Sequence, residues 1–141
     1  GSLVGADRNM VKSADWDGLE AGWLTADDPD GTQTAFVNPP YSNAGEWLER
    51  CAYWGVSMDV IALVNVGTGT NYWAITSMPE AAAVCFPRGR IAFLRDGEPV
   101  KGNRYEQALI LYSDSMSARR AFIEVFSRIG NVVTVAKSEA V

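Results

Sequence analysis

The sequence predicts an α/β fold in which buried strands form a mostly parallel sheet with helices on both faces. Continuous apolar runs such as 60–66 are typical of strands that a parallel sheet buries on both sides. Segments with apolar residues at helical spacing separate these runs. Alternation of this kind indicates helices packed on both faces of a single sheet.

The predicted strands are short, apolar and bounded by glycine, proline or polar residues. A strand over 35–38 leads into two prolines, and the run 60–66 ends at Gly67. Further strands are predicted over 82–86, 90–95, 108–112 and 132–135. The last of these is expected to be a short edge strand, and a polar loop is expected over 96–106.

Three helices are predicted between these strands. Over 44–56, Trp47 and Cys51 recur at helical spacing, and Gly55 is suited to end the helix. A short helix is expected at about 71–78. A third is expected at about 115–128, with a buried face formed by Ala118, Phe122, Val125, Phe126 and Ile129.

Length and composition predict one globular domain over residues 1–141. The chain is 48% hydrophobic, which is enough apolar material for a core. Its net charge of −5 argues against a generic nucleic-acid coat protein but leaves room for an enzyme with a local basic face. The opening Gly1-Ser2 resembles the remnant of an expression tag, so the chain is expected to begin inside a larger gene product.

Residue types that are rare or absent exclude several kinds of site. The chain has no histidine, which excludes histidine triads, proton shuttles and His-ligated metals. Cys51 and Cys85 lie in apolar runs without metal-ligand spacing, so no metal is expected and both read as reduced core residues of a cytoplasmic protein. No segment has the pattern of a membrane span or a signal peptide.

The stretch with the most chemical information is Asn38-Pro39-Pro40-Tyr41, which follows an apolar strand. Consecutive prolines remove two backbone donors and hold the preceding residue out of the helical region. The Asn38 side-chain oxygen and a proline carbonyl can then accept both hydrogens of an exocyclic NH2, while the Tyr41 ring stacks on the planar group that carries it. The alternative is a strand that simply ends at a Pro-Pro turn.

Three polar or glycine-rich segments follow predicted strands: Asn38–Ser42, Asn65–Thr70 and Pro87–Arg90. Ligands of an α/β sheet bind beyond the carboxyl ends of its strands, so these segments predict a cleft. The second segment lacks the lysine of a phosphate loop and the third glycine of a dinucleotide fingerprint. It can equally be a turn and a helix cap.

Basic residues concentrate in one region of this acidic chain. Five of its twelve lysines and arginines fall between positions 88 and 104, namely Arg88, Arg90, Arg95, Lys101 and Arg104. The region is therefore a candidate phosphate-facing surface. Alternatively, Arg88 and Arg90 are solvated ends of a strand.

The chain resembles the phage-type DNA N-6-adenine methyltransferases, which depend on S-adenosylmethionine. The resemblance covers roughly residues 6–113 and rests on landmarks in the family's order. These are Asp17-Gly18-Leu19 with Trp23, Asn38-Pro39-Pro40-Tyr41-Ser42, the helix with Trp47, Ile61–Val66 with Thr70 and Trp73, Cys85–Phe93, and Gln107-Ala108-Leu109.

The resemblance implies a Rossmann-like methyltransferase sheet, mostly parallel, with an antiparallel strand near its C-terminal end. It also implies methyl transfer from S-adenosylmethionine to the exocyclic amino group of adenine in DNA, with Asn38, Pro39, Pro40 and Tyr41 as the catalytic residues. Two acceptors would localise the nitrogen lone pair and stabilise the developing charge, so no general base is needed. Tyr41 would stack on a base flipped out of the duplex.

For the cofactor, the resemblance implies a motif before Asn38, and its candidate residues are Asp7, Asp17 and Gly18. Positions 4–5, where an acidic residue and proline are expected, read Val4-Gly5. Either the chain begins inside the cofactor strand, or part of that site has been lost. Asp17 is the better candidate for the cofactor adenine, with the reading as a simple Asp-Gly turn left open.

The candidate substrate-binding residues are Ser42, Thr70, Trp73, Arg88 and Arg90. A chain of this length has no room for a separate target-recognition domain, so recognition is expected from 66–74, from 87–106 or from a partner. Trp73 could stack on a base, or it could be a core residue at the start of a helix.

Two other functions remain compatible with the sequence. The same chemistry suits a cytosine amino group, an RNA adenine or the side-chain amide of a protein glutamine. The incomplete cofactor segment also suits a non-catalytic descendant that binds a nucleotide or a partner protein. The expected location is the cytoplasm, that of the host cell if the gene is carried by a phage.

Overall fold

The computed structural model describes residues 8–9, 34–70, 73, 78–89, 94–99 and 106–136. Its strands are β1 (Arg8–Asn9), β2 (Thr34–Val37), β3 (Asp59–Asn65), β4 (Ala83–Pro87), β5 (Leu94–Arg95), β6 (Glu98–Pro99), β7 (Gln107–Tyr112) and β8 (Gly130–Thr134). Its helices are α1 (Ala44–Trp54), the single turn α2 (Met78–Glu80) and α3 (Met116–Phe126). A 3₁₀ turn over Tyr41–Asn43 precedes α1.

Six of these strands form one mixed sheet in the order β1-β2-β3-β7-β4-β8. The pairs β1–β2 and β2–β3 are parallel, and the other three neighbouring pairs are antiparallel. The prediction of a mostly parallel sheet is therefore wrong, whereas the predicted α/β class is confirmed. The physical reason is that β7 inserts between β3 and β4, which point the same way, and replaces one parallel pairing by two antiparallel ones.

Helices α1 and α3, which have three turns each, cover opposite faces of the sheet. Side chains alternate across a strand, so successive residues of β3 and β7 enter two separate core clusters. One cluster contains Trp47, Leu48 and Cys51 of α1 with Val60, Ala62, Val64, Ala108, Ile110 and Tyr112. The other contains Phe122 of α3 with Leu63, Ala83, Cys85, Leu109 and Leu111. The predicted helices on both faces are confirmed.

Most predicted elements lie within two residues of the observed ones. The helix predicted to stop at Gly55 ends at Trp54, and the Gly55 N–H donates to the Cys51 carbonyl at 2.8 Å. The closing strand β8 occupies the end of the strand order, as predicted. Of the helix expected at 71–78, only Trp73 and Met78 belong to the described residues.

In the region predicted as a strand over 90–95 and a loop over 96–106, the observed structure differs from the prediction. Within the described part, Leu94–Arg95 pairs with Glu98–Pro99 in a small separate hairpin. Asp96 and Gly97, with φ of 52° and 81°, form its two-residue turn. Positive φ at both central residues is what a tight hairpin turn requires, and Asp-Gly supplies it at low cost. The Asp-Gly pair is a local sequence signal for this turn, within the segment expected to be a polar loop.

Both cysteines are completely buried and unpaired, as the sequence predicted. Burial raises the pKa of the Cys51 and Cys85 thiols, because a thiolate would lose its hydration. The Cys85 thiol lies 3.6 Å from the Phe126 carbonyl, to which it donates where β4 meets α3. Within the described residues, no helix has the length and apolar character needed to cross a membrane.

We expect Gly130→Ala to destabilise the fold, because β8 begins in direct backbone contact with β4. A Cβ at this position would collide with the Phe86 carbonyl oxygen and lie 2.6 Å from Pro87 Cα, and backbone atoms cannot yield as a side chain can. Overpacking of this kind costs about 1–3 kcal/mol. Chemical denaturation followed by circular dichroism measures the loss.

The matched control is Gly69→Ala, since no atom of the described residues, apart from its chain neighbours, lies within 4 Å of a Cβ built there. Equal unfolding midpoints for Gly130→Ala and Gly69→Ala would show that the approach of β8 to β4 is looser than described.

Candidate active site at the carboxyl edge of the sheet

Strands β2, β3 and β4 run in the same direction, so they end along one line of the sheet. We call this line the carboxyl edge. Asn38 follows β2 there, Asn65 ends β3, and Arg88 follows β4. Strand β7 runs the other way and begins at this edge with Gln107. The three predicted segments therefore follow strands that end along the same edge of one sheet.

The Asn-Pro-Pro-Tyr segment forms a projecting turn between β2 and α1. Asn38 and Pro40 are exposed and Pro39 is half-buried. Pro40 is extended, with φ of −59° and ψ of 140°, and its carbonyl accepts a hydrogen bond from the Asn43 N–H at 3.3 Å. Tyr41 opens the 3₁₀ turn that leads into α1. The prolines thus hold the chain extended as it leaves the strand, and Asn38 stands at the rim of the sheet.

Two depressions lie side by side at the carboxyl edge. The smaller has a volume of about 30 Å³, enough for one water molecule. It is lined by Asn38, Pro39, Ala44, Leu63, Val64, Asn65 and Gln107. The larger has a volume of about 320 Å³, within the range of small-molecule sites. It is lined by Val66, Phe86, Pro87, Gly89, Glu106 and Gln107, so Gln107 forms part of both walls.

Two amide side chains at this edge hydrogen-bond to each other. Gln107 Nε2 donates to Asn65 Oδ1 at 3.1 Å, and the two residues are direct partners in the β3–β7 ladder. The Val66 N–H donates to the Glu106 carbonyl at 2.8 Å and extends the ladder by one step. The candidate residues chosen from the sequence did not include Asn65 or Gln107. One feature of the sequence could have identified them: each is the polar residue at the end of an apolar strand, and both ends lie at the same predicted edge of the sheet.

Trp73 is a core residue. It is 4% exposed and belongs to the cluster under α1, with its ring 6.4 Å from that of Phe86. Of the two roles that the sequence left open for Trp73, its burial supports that of a core residue, because a buried ring has no free face for a base. Through Phe86, Trp73 instead supports a wall of the larger depression.

Thr70 closes a turn. Its hydroxyl donates to the Gly67 carbonyl at 2.5 Å, and its N–H donates to the same oxygen at 2.8 Å. The loop after β3 thus contains the tight turn that the sequence offered as one alternative. Ser42 lies exposed in the Asn-Pro-Pro-Tyr turn, next to Asn43.

Arg88 is exposed at the carboxyl edge but is engaged with the end of α3. Its Nη2 donates to the Arg128 carbonyl at 2.7 Å, and its N–H donates to the Ile129 carbonyl at 2.9 Å. A cation at the carbonyl end of a helix is a favourable arrangement. Arg88 therefore joins β4 to the turn before β8, whether or not it also faces a phosphate.

Several candidate residues lie outside the described part of the chain: Asp7, Asp17, Gly18 and Arg90. Strand β1 itself is described and lies beside β2, with Asn9 opposite Phe36. No group of three or more His, Cys, Asp or Glu side chains that could hold a metal ion occurs among the described residues.

Comparison with known protein families decides the identity of the chain. The model of the DNA N-6-adenine-methyltransferase (Dam) family matches residues 6–135. The chain belongs to this family. It is an adenine methyltransferase of DNA, as the resemblance implied. No curated protein and no solved structure gave a significant match.

We expect Trp73→Ala to destabilise this methyltransferase by about 3–5 kcal/mol, because it removes a large buried ring. Trp73→Phe should cost less, since it keeps an aromatic contact with Phe86. Tyr53→Ala is the control, because Tyr53 is an aromatic residue with 65% of its surface exposed. Urea unfolding compares the three variants. Unchanged stability of Trp73→Ala together with weaker DNA binding would restore the base-stacking role.

Proposed function

We propose that Asn38 and Pro39 hold the amino group of a target adenine while S-adenosylmethionine donates a methyl group to it. The observation that carries the proposal is the position of Asn38. It is exposed on a turn held extended by two prolines, where it lines the smaller depression at the carboxyl edge, in a chain of the adenine methyltransferase family.

The chemical task is to make a poor nucleophile attack. The lone pair of the adenine amino nitrogen is delocalised into the ring, and two hydrogen-bond acceptors localise it by drawing the nitrogen towards tetrahedral geometry. The Asn38 side-chain oxygen and the Pro39 carbonyl are acceptors of this kind. They also stabilise the positive charge that develops on the nitrogen, which is strongest in the transition state.

The proposed methyl transfer balances without any residue that is assigned as a general base before the reaction. When bound, S-adenosylmethionine would supply an electrophilic methyl group, and its sulfonium would become a neutral thioether. The amino nitrogen forms one N–C bond and then loses one proton, which the exposed carboxyl edge can pass to water. Tyr41, three residues after Asn38, is proposed to stack on the flipped base and offset part of its lost stacking.

The direction of β1 supports the proposed location of the methyl donor. Strand β1 is parallel to β2, and its last residue, Asn9, lies opposite Phe36, two residues before Asn38. Asp17 and Gly18 follow that point in the sequence, and we propose them as cofactor-binding residues. Asp7 precedes β1 and is the weaker candidate. This arrangement is compatible with a Rossmann-like methyltransferase sheet.

DNA is the proposed binding partner of the carboxyl edge. Ser42 is exposed in the turn that follows β2, and Arg88 is exposed directly after β4. Arg90 and Thr70 complete the proposed contacts. Because the chain as a whole is acidic, we expect the basic residues after β4 to carry most of the attraction for phosphate.

We expect Asn38→Ala to lower kcat by about 10²–10³, since it removes one acceptor aimed at developing charge. Asn38→Asp keeps an acceptor and should retain more activity than Asn38→Ala. The measurement is transfer of label from methyl-labelled S-adenosylmethionine to separate pools of DNA, RNA and protein. The expected product is N-6-methyladenine in DNA.

Asn131→Ala is the control, because Asn131 is an exposed asparagine on β8, at the far side of the sheet. Full activity of Asn38→Ala would contradict the assignment of Asn38. Label in RNA or protein alone would transfer the same chemistry to another acceptor, and label in no pool would favour a non-catalytic role.

The donor site makes a separate prediction. We expect Asp17→Ala to weaken binding of S-adenosylmethionine by about tenfold, as the loss of one hydrogen bond to a charged group would. Asp7→Ala should have a smaller effect, and Glu124→Ala, an exposed charge change on α3, should have none. Calorimetric titration measures all three. Equal affinities for Asp17→Ala and Glu124→Ala would remove Asp17 from the cofactor site.

A further inference from the structure

We propose that strand β8 is an interface at which two copies of this chain join their sheets, antiparallel, around a two-fold axis through Val132. Strand β8 ends the strand order and, among the described residues, pairs only with β4. One side of its backbone is therefore open within the part of the chain that the structure describes. The interface is independent of the methyl-transfer site.

The hydrogen bonds to β4 show which backbone groups of β8 face the open side. Thr134 lies opposite Ala83, and the Val135 N–H donates to the Ala82 carbonyl at 3.2 Å. A hydrogen bond placed beside a pair in this way marks the pair as one whose own N–H and C=O groups point away from the partner strand. Such pairs alternate along an antiparallel ladder. The groups that face the open side are therefore those of Gly130, Val132 and Thr134.

The open side of β8 lacks the features by which sheet edges avoid pairing. Natural edge strands are very short, or they carry charged residues or proline. At the opposite edge of the sheet, β1 has two residues, one of which is Arg8. Strand β8 has five residues, none of which is charged or proline. Val133 within it is 43% exposed, and Ile129 just before it is 45% exposed. This edge is therefore suited to being covered by another strand.

A second copy of β8 complements these open groups. Val132 is the middle residue of the strand, so a two-fold axis through it places every open residue opposite another open residue. Val132 then pairs with Val132 of the second copy, and Gly130 pairs with Thr134. Each of these pairs exchanges two hydrogen bonds, which satisfies the open groups of the strand and leaves the β4–β8 ladder unchanged. This match favours a second copy over an unrelated strand.

The position of helix α3 is compatible with this pairing. Helix α3 packs against both β4 and β8, and its Phe122 lies in one cluster with Cys85 of β4, against which Val132 of β8 packs. A two-fold axis perpendicular to the sheet places the two α3 helices on the same face, antiparallel to each other. With each helix over the space between β4 and β8, the strand spacing puts their axes about 10 Å apart. Packed helices lie about 8–10 Å apart, so the second copy fits.

The same axis determines where the two active sites lie. A two-fold rotation about an axis perpendicular to the sheet reverses the direction of every strand. The carboxyl edge of one copy therefore points away from that of the other. In each copy, β3, β7 and β4 separate β8 from β2, which leads to Asn38. We therefore expect the interface to change the mass of the protein in solution and to leave methyl transfer per chain unchanged.

Cysteine variants test the register of the two strands. Asn131 of one copy lies opposite Val133 of the other, with Cα atoms about 4.5 Å apart, a distance that a disulfide spans. The two copies of Asn131, like the two of Val133, lie about 8 Å apart, which is beyond its reach. Asn131→Cys chains are mixed with Val133→Cys chains in oxidised glutathione. We expect at least tenfold more cross-linked dimer from the mixture than from either variant alone.

A charged variant tests the interface in solution. Val133→Lys brings two lysines into the interface, and lysine is a residue by which natural edges avoid pairing. We expect it to raise the dissociation constant of the dimer at least tenfold, measured by sedimentation equilibrium. Val56→Lys is the matched control, because Val56 is a valine with 67% exposure in the turn after α1. It should dimerise as the parent does.

Three results would overturn the interface. They are a parent that sediments as a monomer at its highest soluble concentration, a Val133→Lys variant that dimerises as well as Val56→Lys, and a cysteine mixture that cross-links no more than the single variants. Dimerisation of a chain that transfers no methyl group would support the interface and contradict only the proposed function.

Discussion

The antiparallel pairing of β3 with β7 is the constraint on which the rest of the structure depends. It joins six residue pairs, Val60–Asn65 against Gln107–Tyr112, through the centre of the sheet. Both strands are buried on both faces, so their alternate side chains supply the cores under α1 and α3 together. Without this ladder, β2 with its Asn-Pro-Pro-Tyr turn would have no fixed relation to β4 and α3.

Side-chain hydrogen bonds join the two strands of this ladder at both of its ends. At one end the Ser113 hydroxyl donates to Asp59 Oδ1 at 2.5 Å. At the other, Gln107 donates to Asn65 at the carboxyl edge. A register slip of one residue would exchange the two faces of β7 and break both bonds. One of the contacts that define the register therefore lies between two residues that line the smaller depression.

How far the sequence predicts the site depends on how local each feature is. The Asn-Pro-Pro-Tyr turn was predictable because proline restricts the backbone whatever surrounds it. The tight turn at Asp96-Gly97 is equally local, because Asp-Gly is a pair typical of such turns. Trp73 could not be assigned, because an aromatic residue beside a glycine-rich loop suits a core as well as a surface. Its burial against Phe86 follows from the packing of β4 against the rest of the sheet.

By itself the sequence determined the α/β class, the buried strands, the two long helices and the turn that carries Asn38, because each depends on periodicity or on the backbone limits of proline and glycine. Only the tertiary structure decided the order of the strands. Pairing between β3 and β7 joins residues more than forty positions apart. The sequence of an apolar strand does not indicate which strand it will pair with, or whether the pairing will be parallel or antiparallel. That long-range pairing placed Asn65 against Gln107 at the carboxyl edge, in the same depression as Asn38.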